Sequence, residues 1–165
     1  MITSTSSSQV KHVVNLQKKA KLRKEEKQFV VEGVKMVSEA PADRLVKVYV
    51  SETFKADNEE FLERMNYDSI GKDVLEIVTD NVFMRMADTQ TPQGIMAVVR
   101  MSDTDLEGIL SDKHNPLLLI IENLQDPGNL GTIVRMAEGA GVTGIIMSSN
   151  TVDIYNPKTI RWTMG

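Results

Sequence analysis

The chain has 165 residues and 41% hydrophobic content, enough apolar side chain to bury a core in one domain or in two small ones. Cysteine is absent, which excludes disulfides and thiolate metal sites and fits a reducing, cytoplasmic setting; no apolar run nears the ~20 residues of a membrane span, and the opening MITSTSSSQVKH lacks the apolar core of a signal peptide. A net charge of −4 excludes a protein coated in nucleic-acid-binding charge, and the expectation is a soluble, unexported protein.

Residues 1–8 are rich in Ser and Thr and read as a frayed approach to a helix over 8–22, with Val10, Val13 and Val14 along one side and lysines on the other. Of 19 Lys/Arg and 23 Asp/Glu in the chain, seven bases but only two acids fall within 11–27, so the basic charge is gathered at one end. Lys18, Lys19, Lys21 and Arg23 form either an electrostatic footprint for RNA phosphate or an ordinary solvated face. No aromatic residue is interleaved for base stacking, so spacing alone leaves both readings open.

Gln28–Glu32 reads as a strand, Gly33 as a switch into a helix over 34–40, and Pro41 as its stop. Leu45–Ser51 and 74–78 are predicted strands and Glu59–Met65 a helix. Thr79 and Asp80 can cap the helix that carries Val82, Phe83 and Met86. The polar turn Asp88-Thr89-Gln90-Thr91-Pro92-Gln93-Gly94 delivers the strand Ile95–Arg100. Residues 101–115 hold no long apolar segment and are assigned to a connection between a domain over 1–100 and a second over 116–165.

The second domain opens on an unbroken apolar run, 117–121, read as a strand buried on both faces in the manner of parallel sheets. Polar residues begin at Glu122, and Asn123, Asp126, Pro127, Gly128 and Asn129 make a turn-rich loop. A helix follows, its apolar positions Leu130, Ile133, Val134 and Ala137 at helical spacing, with Asn129 as N-cap and Gly139 and Gly141 at its end. Ligands of open α/β sheets sit outside the carboxyl ends of the strands, which is where this loop falls. Arg135 lies off the apolar stripe, so its guanidinium can reach a phosphate as a bidentate donor. On spacing alone, an ordinary turn and a solvated arginine are the stronger reading. A strand over 144–148 and a helix from Pro157 complete an α/β chain without internal repeats, and the ten methionines read as core filler. His12 and His114 are too far apart for metal-ligand spacing and are assigned neither a metal nor a catalytic role.

Eight positions in order, Asn123, Asp126, Pro127, Asn129, Gly131, Arg135, Ala137 and Gly141, closely resemble the first signature motif of the SpoU/TrmH family of RNA ribose 2′-O-methyltransferases, in the knotted SPOUT superfamily. Residues 155–165 resemble the family's next conserved piece, with Trp162 and Thr163 where Ala and Ser are more usual. Thr91-Pro92-Gln93-Gly94 and the run from Phe29 to Gly33 resemble its N-terminal substrate-binding domain, akin to ribosomal proteins that bind kinked RNA.

The resemblance implies a small α/β substrate-binding domain followed by the first part of an α/β-knot methyltransferase domain. It implies methyl transfer from S-adenosylmethionine to a ribose 2′-hydroxyl of RNA, with 23S rRNA the leading target and tRNA the next. Arg135 would activate the hydroxyl together with an RNA phosphate, Asn129 would position the substrate, and Asp126 and Pro127 would shape the loop. Asn123, Lys18, Lys19, Lys21, Arg23, Lys158 and Arg161 are the expected RNA contacts. Cofactor contacts and much of a homodimer interface are expected beyond Gly165, so the chain is expected to be an inactive portion of a longer enzyme. The alternative is a noncatalytic RNA-binding protein or fragment that keeps the substrate-binding domain and a methylase remnant.

Overall fold

Alternating and continuous apolar runs in the first hundred residues build a four-stranded sheet. The computed structural model describes residues 1–65, 74–103, 105–111 and 115–164, which fall into two units, Met1–Met101 and Ser102–Met164. In chain order the first unit holds Ser8–Lys18 (α1), Ala20–Glu26 (α2), Gln28–Glu32 (β1), Val34–Glu39 (α3), Leu45–Ser51 (β2), Glu52–Asp57 (α4), Glu59–Met65 (α5), Leu75–Val78 (β3), Asp80–Met86 (α6) and Ile95–Arg100 (β4). The strand order is β1-β4-β2-β3, with β4 antiparallel to β1 and β2, and β2 parallel to β3. Strand β4 is central, and its Ile95 to Val99 are buried throughout, as a strand covered on both faces requires. Val10, Val13 and Leu16 of α1 and Val82, Phe83 and Met86 of α6 close one core over Val30, Tyr49, Val78, Met96 and Val98.

The helix expected over 8–22 breaks at Lys19, whose backbone is extended at φ −116°, ψ 102°. The cause is Arg23. Its guanidinium donates to the carbonyls of Leu16 at 2.6 Å and Gln17 at 2.8 Å, satisfying carbonyl groups that the end of a helix leaves without partners. The turn over 88–94 is held in the same manner: Gln93 Oε1 accepts from the Val34 N–H at 2.8 Å, and Glu32 accepts from the Asp88 N–H and the Thr89 hydroxyl. Thr79 caps α6, as its side chain predicts; the Asp80 carboxylate takes the hydroxyl and N–H of Thr53 instead.

The second unit holds Leu106–Leu110 (α7), Leu118–Ile121 (β5), Pro127–Gly139 (α8), Gly144–Met147 (β6) and Pro157–Thr163 (α9). Strands β5 and β6 pair in parallel, from Leu118 against Gly144 to Ile121 against Met147. The stretch expected to be a connection therefore contains a helix of this unit. Asp105 caps α7 through the Gly108 N–H at 2.7 Å, and Ile109 lies so close to Gly144 that a Cβ there would stand 2.7 Å from its Cγ2. A single turn of helix has too few apolar positions to be seen as a period in sequence.

Burial of 117–121 on both faces does not hold either. Ile121 is buried, but Leu117 is 51% and Ile120 72% exposed, and Ile120 pairs with the exposed Ile146. Successive strand residues point to opposite faces, so Ile121 lies on the covered face of this pair and Ile120 and Ile146 on the open one, while Leu117 precedes the strand. No helix among the described residues is long and apolar enough to cross a membrane. His114 lies outside the described residues.

Candidate active site

Helix α8 starts three residues earlier than its apolar stripe suggests. Asp126 Oδ1 accepts from the Asn129 N–H at 2.6 Å, which makes Asp126 the N-cap and puts Pro127 in the first helical position, where its missing N–H is harmless. The expectation that Asn129 caps the helix is thus corrected: Asn129 stands in the first turn with an exposed side chain. The loop before it is fixed by its partner loop after β6. Asn123, at φ 53°, donates its N–H to Ser148 Oγ at 2.9 Å; the Val152 N–H reaches the Leu124 carbonyl at 2.8 Å, and the Gln125 amide bonds the Asn150 carbonyl.

Helices α8 and α9 meet across Gly131. A Cβ there would lie 2.5 Å from the Thr159 carbonyl oxygen and 2.5 Å from Trp162 Cβ, so only glycine permits this approach. One turn beyond Gly131, Arg135 is exposed, and its Nη1 donates to Met164 Sδ at 2.7 Å. Met164 adopts φ 63° where α9 ends. The guanidinium thus rests on a thioether, a weak acceptor that leaves its charge available to an anion. Six residues separate Asn129 from Arg135, about 9 Å along the helix and roughly 120° around it. The helix therefore does not join these two side chains; Arg135 faces α9 instead.

At the start of α9, Asn156 Oδ1 accepts from the Lys158 N–H at 2.9 Å, with Pro157 in the first helical position. Lys158 is exposed and Arg161 half-buried. In the first unit Lys18, Lys19 and Lys21 are exposed, and Lys21 pairs with Glu25 at 3.7 Å. Arg23 departs from the expected set: at 2% exposure and bonded to α1 carbonyls, it serves the fold and offers RNA nothing. The first unit also has a depression of about 330 Å³ whose lining includes Ser51, Thr53, Asp80 and Gln93. Hydrogen bonds from the Thr53 side chain and N–H hold the Asp80 carboxyl below the ordinary carboxylate range.

Among the described residues no group of three or more His, Cys, Asp or Glu could hold a metal ion. In the second unit the loops after β5 and β6 bond one another, and the face that bears Ile120 and Ile146 is exposed. Sequence reasoning placed Trp162 only as a departure from a pattern and gave Met164 no role. Their place beside Arg135 follows from the contact of two helices, which no local spacing encodes.

The fold and site define a two-unit α/β protein: a small mixed-sheet module, then a parallel strand pair whose polar loop and helix present an exposed arginine. Residues 7–97 match the MRM3-like substrate binding domain and residues 116–165 match the SpoU rRNA Methylase family. The chain belongs to the SpoU/TrmH methyltransferase family, with an MRM3-like substrate-binding domain in front. It is 32% identical over 162 residues to the human mitochondrial rRNA methyltransferase 3, covering 93% of this chain and 36% of that protein. It is 35% identical over 89 residues to the Bacillus subtilis 23S rRNA (guanosine(2553)-2′-O)-methyltransferase RlmP, covering 54% of this chain and 34% of that protein. The AdoMet-bound rRNA methyltransferase of Sinorhizobium meliloti superposes with a TM-score of 0.82 at 26% identity, over 99% of this chain and 60% of that one. The chain spans about a third of the length of these two curated relatives.

Proposed function

We propose that this chain carries the acceptor side of an RNA ribose 2′-O-methyltransferase acting on large-subunit rRNA: the first unit recruits the RNA, and the α8 end of the second unit handles the ribose. S-adenosylmethionine is the methyl donor in this reading. The observation that carries it is Arg135, a cation exposed on the helix that follows a parallel strand and held by a thioether rather than a carboxylate.

A ribose hydroxyl is a poor nucleophile until it loses its proton. A guanidinium bound to the neighbouring phosphate supplies positive charge where the alkoxide develops, and fixed charge in the right place is the largest common contributor to such steps. Asn129, exposed in the first turn of α8, and Asn123, exposed on the loop that Ser148 locks, hold the sugar and its phosphates in line for transfer. Lys158 and Arg161 on α9, and Lys18, Lys19 and Lys21 in the first unit, add phosphate contacts. A homodimer is part of this reading. The RNA substrate is supported by the matches to both family domains and by homologous rRNA 2′-O-methyltransferases.

The test is transfer of labelled methyl groups to rRNA by the full-length protein carrying Arg135→Ala. Loss of about 10²–10³ in turnover is expected from removing one such electrostatic partner. Undiminished turnover with intact folding overturns the assignment.

A further inference from the structure

The second unit displays one side chain that the reading above leaves unused. Trp162 is the only tryptophan of the chain and is 58% exposed, although a buried indole would stabilise the fold more. One edge of the indole is seated on α8: a Cβ at Gly128 would lie 3.3 Å from Nε1 and 3.4 Å from Cε2, and one at Gly131 would lie 2.5 Å from Trp162 Cβ. The two glycines thus make a notch that receives the ring and leaves much of its surface to solvent. Two cations lie on its side of the unit by helix geometry and contact. Lys158 is one turn earlier on the same helix, Arg161 is adjacent, and Arg135 reaches Met164 two residues further on.

An aromatic ring fixed at one edge with cations beside it is suited to unpaired nucleotides: the cations track the backbone, and the ring stacks on a base whatever its identity. We propose that Trp162 is a stacking platform for a nucleobase of the substrate RNA, next to the ribose that Arg135 serves. The inference rests on the reading of this unit as an RNA-handling site. It adds that binding here requires an unstacked base and not phosphate alone. A stacked base of this kind favours flexible or single-stranded targets.

Because no other tryptophan contributes, emission from Trp162 reports the contact directly. The chain is titrated with a short single-stranded oligoribonucleotide and, separately, with inorganic polyphosphate. RNA should quench the emission saturably and polyphosphate should not. Measured with labelled RNA, Trp162→Ala should bind about fivefold to a hundredfold more weakly, the range that base–aromatic stacking spans on alanine replacement. Trp162→Phe, which keeps a ring in the notch, should recover most of the loss; a structural defect shared by both variants would show in their melting curves and would not be rescued in this way.

Emission unmoved at saturating RNA, equal quenching by polyphosphate, or wild-type affinity in Trp162→Ala each overturns the platform. So does an emission change on raising protein concentration without RNA, which would assign the ring to contact with a second copy of the chain. These outcomes are separate from the catalytic reading. An Arg135→Ala enzyme that still transfers methyl groups defeats that reading whether or not RNA quenches Trp162.

Discussion

Replacing Gly131 by alanine tests whether the contact of α8 and α9 is as close as the geometry states. The new methyl would sit 2.5 Å from the Thr159 carbonyl oxygen and 2.5 Å from Trp162 Cβ, with the Trp162 carbonyl carbon at 3.1 Å. None of these atoms is the free end of a side chain, so α9 must move. Overpacking of this kind costs about 1–3 kcal/mol. Alanine in place of a helical glycine returns roughly 0.5–1 kcal/mol. The net expectation is a loss centred at about 1 kcal/mol within a range of about 0–2.5 kcal/mol, or a fall in melting midpoint of roughly 4–8 °C at the centre for a unit of this size. Gly139, on the same helix, is the control: a Cβ there meets nothing within 4 Å, so Gly139→Ala should gain about 0.5–1 kcal/mol. Unfolding is followed by the emission of Trp162, which sits on the contact itself. A Gly131→Ala midpoint at or above wild type, or an equal fall in Gly139→Ala, would refute the close approach and with it the placing of Arg135 beside Met164.

Other perturbations test the cap, the basic face and the core. Asp126→Ala removes the acceptor for the Asn129 N–H and should destabilise the second unit by about 0.5–2 kcal/mol, measured by urea unfolding, with Asp126→Asn losing much less. Changing Lys18, Lys19 and Lys21 together to alanine should weaken RNA binding and make the slope of log K against log salt shallower by about 2, whereas Arg23→Ala should lower stability first, since its guanidinium holds the α1–α2 junction. Burial pushes the Tyr49 hydroxyl up from 10.0 to about 12. Between those values the unfolded chain gives up this proton and the folded chain keeps it, so stability should fall as pH rises above 10 and level off near 12. Tyr49→Phe should flatten that alkaline decline; a decline of unchanged size in the variant would remove Tyr49 as its source.

The sequence alone determined most of the strands and the family. Gln28–Glu32, Leu45–Ser51 and Ile95–Arg100 lie where apolar residues and flanking turn residues place them, because a strand needs only a local run with punctuation. The eight-position motif was equally local, since a loop and the helix after it are contiguous in the chain. Tertiary contact decided the rest. Arg23 and Lys21 belong to the same basic run, yet one is buried against α1 carbonyls and the other is exposed, and charge pattern does not distinguish them. The break at Lys19, the turn of helix at Leu106–Leu110 and the open face bearing Ile120 all depend on residues distant in sequence or on which neighbours a surface finds. The same holds for the exposed ring of Trp162: a tryptophan at that spacing could have been core, and the glycine notch of α8 turned one edge inward and left the remainder to solvent. Periodicity fixes which residues share a face; only packing fixes what that face meets.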